Sequence, residues 1–248
     1  MQQYIQIKEQ HKDALLFFRL GDFYELFFDD AITASKELEI TLTSRNCGLD
    51  RRAPMCGVPH HSAEGYIARL IEKGYKVAIC EQLEDPSEAK GIVKRDVVRI
   101  ITPGTLVETS MLDEKSNNYL LSLYRSEEFW GISFVDVSTG EFLISQLHYD
   151  KLIDELTRIN PSEIIVDETI AETESKVIDV INKRLGAYVT PYHSWAYDRE
   201  TSYKRLLRHF KVHSLEGYGC ADMPHGICAA GALITYLSDT QKNALQHI

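Results

Sequence analysis

The sequence lacks several features that would assign it to a class at once. Its five cysteines are odd in number and form no Cys-x-x-Cys pair, which favours reduced thiols over a disulfide framework. No apolar run approaches the roughly 20 residues of a membrane-spanning helix, and the first residues carry no apolar signal region. These absences predict a cytoplasmic protein with no membrane partner.

A phosphate-binding loop is also missing. No Gly-x-x-x-x-Gly-Lys-Ser/Thr motif occurs anywhere in the chain, and neither does an internal repeat or a low-complexity tract. Because that loop is how many ATPases hold the phosphates of ATP, we expect the chain itself not to hydrolyse ATP. We predict no catalytic residue, no metal and no cofactor in it.

The net charge of −10 is unevenly distributed. Residues 1–102 hold 14 Lys+Arg against 16 Asp+Glu, whereas residues 103–248 hold 13 against 21. A near-neutral first part with grouped bases can still bind phosphates on one face. The candidate phosphate contacts, which could equally be ordinary surface charges, are Arg45, Arg51, Arg52, Lys94, Arg95 and Arg99.

Residues 1–102 alternate between helix and strand patterns, which predicts an α/β domain. Gly21 and Asp22 favour a turn and a helix N-cap, and apolar residues at helical spacing predict a helix from Glu25 to Leu38. The stretch PMCGVPHH is typical of a constrained loop. The other predicted elements are helices over 2–10 and 62–73 and strands over 14–20, 40–45, 75–82 and 97–102.

Residues 103–115 are polar and aperiodic, which predicts a linker between two domains. After it come three strands at short spacing, then helices at 151–159, 174–185 and 199–210 that alternate with two strands. That order is typical of ribonuclease-H-like domains, although a fold does not by itself give a function. We expect a second α/β domain over 116–248, whose apolar helical end suggests a longer protein.

Several blocks together resemble one family. GDFYELFFDDA, APMCGVPHHSAEGYIARLIEKGYKVAICEQLEDP and KRDVVRIITPGT are similar to the N-terminal region of the bacterial MutS DNA mismatch repair proteins, and FVDVSTGEF, INPSEIIV and ICAAGALITYL resemble the second, connector domain of that family. The resemblance implies a mixed-sheet mismatch-binding domain over 1–102 and a ribonuclease-H-like connector domain over 116–248. Lever, clamp and ATPase domains are expected beyond Ile248.

The resemblance also implies partners. The expected ligand is double-stranded DNA with mismatches or small insertion/deletion loops, which implies association with the nucleoid. A MutL-type protein is expected on the connector domain, and the full-length protein is expected to form a homodimer and to use ATP and Mg²⁺.

The family's Phe-x-Glu motif matches Phe23-Tyr24-Glu25. A mispaired base costs less to unstack than a paired one, so a Phe wedge entering from the minor groove selects deformable sites. A carboxylate is repelled by phosphates but can contact an exposed base edge. We therefore predict that Phe23 and Glu25 face outward, that Tyr24 packs inward, and that Met55 is a soft apolar contact near the wedge.

Three alternatives remain open at this point. Phe23 could be a core residue and Glu25 a solvated helix residue. Cys47, Cys56, His60 and His61 could bind zinc, although their spacing fits no standard site. Asp136 could serve a metal-dependent, ribonuclease-H-like nuclease with Glu141 and Asp167 as partners, although Glu141 is expected in a different register and Asp136 could simply form the turn before Gly140.

Overall fold

The computed structural model describes residues 1–46, 52–84, 91–107, 116–126 and 128–241. The chain divides into two compact α/β units, residues 1–102 and residues 103–239. Each unit has its own mixed sheet, in agreement with the predicted fold class. Within the described ranges, no helix is long and apolar enough to cross a membrane.

The first unit is a six-stranded sheet with three helices. Its strand order is β3-β4-β2-β1-β5-β6, and β1 and β5 form the parallel pair while the other neighbours are antiparallel. The elements are α1 (Gln2–Gln10), β1 (Ala14–Leu20), β2 (Phe23–Phe27), α2 (Phe28–Leu38), β3 (Thr43–Arg45), β4 (Ala53–Pro59), α3 (Ala63–Glu72), β5 (Lys76–Gln82) and β6 (Arg95–Ile101).

The prediction of a helix from Glu25 was wrong, because Phe23–Phe27 is the strand β2. This strand pairs with β1 on one side and β4 on the other, so its backbone groups are satisfied by ladder hydrogen bonds. The helix begins at Phe28, whose φ of 53° turns the chain abruptly out of the sheet. Gly21 and Asp22 therefore connect two strands and cap no helix.

The two faces of this sheet are covered differently. Alternate residues of the central strands, including Phe18 and Phe27, pack with Tyr4 and Ile7 of α1; we call this the α1 face. The opposite face carries Cys56, whose thiol makes a hydrogen bond to the backbone of Ser35 in α2. Because side chains alternate along a strand, Phe23 and Glu25 lie on the α1 face together with Phe27.

The segment PMCGVP is also a strand, not the loop that its composition indicated. Residues Ala53–Pro59 form β4, which pairs along five positions with β2. The strand predicted over 40–45 is shorter than expected, since only Thr43–Arg45 pairs with β4. With β4 on one side and β1 on the other, β2 is a central strand of the sheet.

The second unit has the strand order β11-β10-β7-β8-β9. Strands β7, β8 and β9 are antiparallel, while β10 and β11 run parallel to β7, as expected for a ribonuclease-H-like sheet. Its elements are β7 (Tyr119–Arg125), β8 (Phe129–Asp136), β9 (Glu141–His148), α4 (Leu152–Ile159), β10 (Glu163–Asp167), α5 (Glu168–Thr173), α6 (Ser175–Leu185), β11 (Tyr188–Tyr192), α7 (Arg199–Phe210) and α8 (Pro224–Thr240).

The start of the predicted linker packs inside the second unit. Pro103, Gly104 and Thr105 are buried, and the Gly104 amide donates to the buried Glu163 carboxylate at 3.1 Å. A Cβ at Gly104 would lie 2.9 Å from the Cβ atoms of Glu163 and Leu120, so only glycine fits there. These three residues belong to the fold of the unit and are not a solvated connection.

Candidate nucleic-acid interface

Phe23 is the first residue of β2, directly after the hairpin turn. It pairs with Leu20 on β1 and with Pro59 on β4, and its side chain is 47% exposed. The turn is held from the β4 side, where the backbone amide of His60 donates to the Asp22 carbonyl at 2.9 Å. Phe23 is therefore a large exposed aromatic side chain on a firmly positioned strand end.

Glu25 lies two residues further along the same face. Its Oε2 accepts a charged hydrogen bond of 2.8 Å from Nη1 of Arg45 at the end of β3. The Glu25 side chain is 18% exposed and that of Arg45 is 51% exposed. The carboxylate predicted to face outward is therefore largely covered, and the guanidinium group that contacts it is the more exposed of the two.

Gly57 is the β4 residue directly opposite Glu25. A Cβ there would lie 3.2 Å from the Tyr24 carbonyl oxygen and 3.5 Å from Cγ of Glu25, and the glycine itself is exposed. A side chain at this position would crowd Glu25 and fill the space beside its carboxylate. The sequence placed Gly57 in the stretch PMCGVPHH, predicted as a constrained loop; a glycine within an extended run is the signal that marks a close approach.

Tyr24 packs inward, as predicted, on the face opposite Phe23 and Glu25. Its ring is 8% exposed, it lies 5.9 Å from the Phe17 ring, and the Arg19 guanidinium sits 5.6 Å from its centroid. Its hydroxyl donates to Glu81, and burial, then that hydrogen bond, raises the pKa of Tyr24. The central residue of the motif thus anchors β2 from below.

Met55 does not lie beside Phe23. It pairs with Phe27 and packs, half-buried, against the α1-face cluster. Pro59, which does pair with Phe23, is four residues away along β4, or about 13 Å at the usual strand rise. A DNA contact by Met55 stays a prediction, and Gly57 and Pro59 are the β4 residues nearer to Phe23.

Two of the predicted basic residues, Arg45 and Arg52, lie at the β3 edge of the sheet. Arg52 donates to the side chain and the carbonyl of Ser44, at 3.0 and 2.7 Å, and it is exposed. Arg45 is the base that contacts the motif. Arg51 lies outside the described residues.

The bases near β6 do not form one patch. Lys94 is exposed, but the Arg95 guanidinium donates to the carbonyls of Arg19 and Val93 and lies over the Phe18 ring. A register shift opposite Ile79 and Cys80 then places Arg99, which pairs with Ile79, on the other face. Arg95 is largely committed to internal contacts, and Arg99 faces away from Phe23.

A cleft of about 540 Å³ opens on the α1 face beside the motif. Phe18, which pairs with Glu25, and Leu20, which pairs with Phe23, both line it. Arg45 and Arg95 contribute its charged lining. Phe23 and Glu25 therefore lie next to a cleft with a mixed lining of apolar side chains, amides and two arginines, but they do not line it themselves.

The structure explains Asp136 as a turn residue. Its Oδ1 accepts hydrogen bonds from the amide and hydroxyl of Ser138, at 2.9 and 2.6 Å, and its Oδ2 accepts one from the Asn118 amide. We had expected Glu141 in a different register, but it lies directly opposite Asp136. It is exposed, however, and accepts a hydrogen bond from the Tyr119 hydroxyl at 2.6 Å.

Asp136 and Asp167 lie at opposite ends of the sheet. Asp136 pairs with Tyr119 at the start of β7, whereas Asp167 follows Val166, which pairs with Leu123 near the end of β7. Asp167 caps α5 by accepting from the Thr169 amide at 2.8 Å. A two-metal nuclease needs carboxylates that converge on both metals, and this arrangement cannot supply them.

The zinc hypothesis receives no support from the described residues. Cys56 is buried, and burial raises the pKa of its thiol to about 11, which disfavours the thiolate that zinc requires. Across the described ranges, no three His, Cys, Asp or Glu side chains are grouped to hold a metal ion. Cys47 lies outside those ranges.

The comparison with known proteins bears on the whole chain. A family model described as MutS domain I matches residues 1–110, and one described as MutS domain II matches residues 118–248. The chain belongs to the MutS family. The motif at Phe23-Tyr24-Glu25 falls within the first MutS domain, and the ribonuclease-H-like sheet falls within the second.

Three MutS relatives show how far the similarity extends. Proteins described as DNA mismatch repair protein MutS are 55% identical in Alkaliphilus metalliredigens, 54% in Lachnoclostridium phytofermentans and 49% in Methanococcoides burtonii, each over the entire chain. The chain spans 29%, 27% and 28% of these relatives, respectively. It thus corresponds to less than a third of their length.

Proposed function

We propose that the first unit recognises mispaired or unpaired bases in double-stranded DNA by inserting Phe23 from the minor groove. The observation that carries the proposal is the exposed Phe23 beside Glu25 on one face of a central strand. An aromatic ring that enters a base step gains about 1–3 kcal/mol of stacking. At an intact pair it must also break stacking and pairing that cost a few kcal/mol.

The strand that carries Phe23 is held by contacts on several sides. Strands on both sides hold β2, the Tyr24 hydroxyl ties it to Glu81, and His60 fixes the preceding turn. Since the wedge does not yield, the DNA must deform around it. Mispaired sites deform at the lowest cost, so the selection is for deformability and not for one base identity.

The direct test is a comparison of two duplexes that differ only by one mispair. We expect the 248-residue chain, titrated by fluorescence anisotropy at low salt, to bind the mispaired duplex more tightly. Low salt is chosen because phosphate contacts weaken steeply as salt rises. Equal affinities for the two duplexes would contradict the proposal.

Glu25→Ala is expected to tighten binding to the fully paired duplex by about three- to tenfold and to narrow the difference between the duplexes. The substitution removes a negative charge that faces DNA phosphates, an interaction of the order of 1 kcal/mol near a wet surface. It also removes the 2.8 Å contact between the carboxylate and Arg45. The same titrations measure it, and an unchanged affinity for paired DNA would remove the repulsion argument.

We also propose the roles of the longer protein that these domains resemble. In a full-length MutS protein the chain would precede lever, clamp and ATPase domains, act as a homodimer and use ATP and Mg²⁺. The second unit would carry a surface for a MutL-type partner. Binding of a purified MutL-type protein to the chain, with residues 1–102 alone as the comparison, tests that role; equal binding by both would contradict it.

A further inference from the structure

The ion pair beside the wedge gives Arg45 a role that differs from that of the other bases. We propose, on the basis of the proposed function, that Arg45 is a specificity-determining residue that sets how strongly Glu25 penalises fully paired DNA. Three observations carry this: the geometry of the pair, the unequal exposure of its members, and the separate environment of Arg52.

The geometry leaves half of the carboxylate available. Arg45 contacts Oε2 of Glu25 at 2.8 Å, and within the described part of the chain no hydrogen bond involves the other oxygen, Oε1. The carboxylate can therefore keep its guanidinium partner while Oε1 accepts a hydrogen bond from a base. Gly57, opposite Glu25, keeps the space beside the carboxylate open.

The two members of the ion pair differ in how accessible they are to DNA. Arg45 is 51% exposed and Glu25 is 18% exposed, so an approaching duplex meets the guanidinium first. Next to paired DNA, which offers the carboxylate no new donor, the positive charge of Arg45 cancels most of the repulsion between Glu25 and the phosphates. Next to a mispair, an N–H donor of the exposed base also stabilises the Glu25 carboxylate, so that less of its charge depends on Arg45.

The consequence is an asymmetry that a simple phosphate contact cannot produce. Removing Arg45 leaves the Glu25 charge uncompensated in the complex with paired DNA, but only partly so in the complex with a mispair. Arg45→Ala should therefore weaken binding to paired DNA more than binding to mispaired DNA. A plain phosphate contact is lost equally from both complexes.

Arg52 provides the matched control. It is an exposed arginine on the same β3–β4 hairpin, and its guanidinium is bound to Ser44. Arg52→Ala removes the same charge from the same region without touching the Glu25 pair. It is expected to weaken binding to both duplexes by one factor and to leave their affinity ratio unchanged.

The experiment titrates the chain with the paired and mispaired duplexes and reports the ratio of the two dissociation constants. Arg45→Ala is expected to raise the ratio of the dissociation constant for paired DNA to that for mispaired DNA by about three- to tenfold, the size of one charge contact in water. Arg45→Lys keeps the charge and should retain the original ratio. In a Glu25→Gln background, Arg45→Ala should no longer change the ratio, because no charge is left to compensate.

The outcomes separate the role inferred for Arg45 from the wedge function proposed for Phe23. If Arg45→Ala and Arg52→Ala both weaken the two duplexes equally, Arg45 is only a phosphate contact and the inference is wrong, while the wedge proposal stands. If the unmodified chain does not distinguish the duplexes, the proposed function fails and this inference fails with it. Thermal unfolding checks that each variant is folded. Because Arg45 is 51% exposed, we expect the loss of this ion pair to cost little stability.

Discussion

Phe23→Ala is expected to remove most of the preference for mispaired DNA. The ring is half-exposed at the start of β2 and is not part of the buried cluster on the α1 face. Its loss should therefore cost little stability, while the roughly 1–3 kcal/mol of stacking on a base disappears. We expect at least a tenfold drop in affinity for the mispaired duplex and a small change for the paired duplex.

Ile32→Ala is the matched control for this prediction. Ile32 is also 47% exposed, but it lies on α2, which packs on the opposite face of the sheet. Shortening it removes a similar exposed apolar surface without altering the motif, and the affinities for both duplexes should stay as they were. Full discrimination in Phe23→Ala, measured in the same anisotropy titrations, would show that the wedge assignment is wrong.

The parts of the fold with strong local signals could be predicted from the sequence. The helix α7 runs from Arg199 to Phe210 as predicted, because Asp198 caps it by accepting from the Thr201 amide and Lys211 ends it in a left-handed conformation. The order of strands and helices in the second unit likewise follows from local periodicity. Such elements carry their own start and stop signals.

The strand β2 was missed although one local signal for it is present. It is five residues long and is followed by α2 without a loop, so the apolar residues Leu26 and Phe27 fit a helical period that begins too early. It is paired on both sides, with β1 across the two-residue turn Gly21-Asp22 and with β4 about thirty residues later in the chain. A Gly-Asp pair between two apolar runs is a local hairpin signal, but the helical period of the residues that follow it outweighed that signal, and the partner β4 leaves no local mark.

The same reason limits what could be predicted of the candidate site. Phe23 and Glu25 can be selected from the motif. They were predicted to face outward together from a turn, and in the strand β2 they share one face because they are two residues apart. The contacts of Glu25 come from residues 20 and 32 positions away, Arg45 and Gly57. The register shift that turns Arg99 away is also invisible in the sequence, so Arg95 and Arg99, which are neighbours in the sequence, lie on different faces of the sheet.

The close contact between α8 and the sheet of the second unit depends on glycine. Gly131 lies within β8, and a Cβ built on it would lie 2.0 Å from the carbonyl oxygen of His225 at the start of α8. On the helix side, a Cβ at Gly226 would lie 2.8 Å from the carbonyl oxygen of Ser145 in β9. The backbones of helix and sheet therefore touch, and backbone atoms cannot move aside as a flexible side chain can.

Gly131→Ala is therefore expected to cause the largest loss of stability, about 3 kcal/mol or more, which is at or above the usual range for overpacking a core. The methyl group must push α8 off the sheet, and α8 carries Leu233 and Leu237 of the buried core. For a unit of this size the melting temperature should fall by roughly 10 °C, as measured by calorimetry. Gly217→Ala is the control, because a Cβ there meets no atom within 4 Å and its melting temperature should not change. If both variants melt alike, the helix can shift at no cost, and the close approach of α8 is not what stabilises this unit.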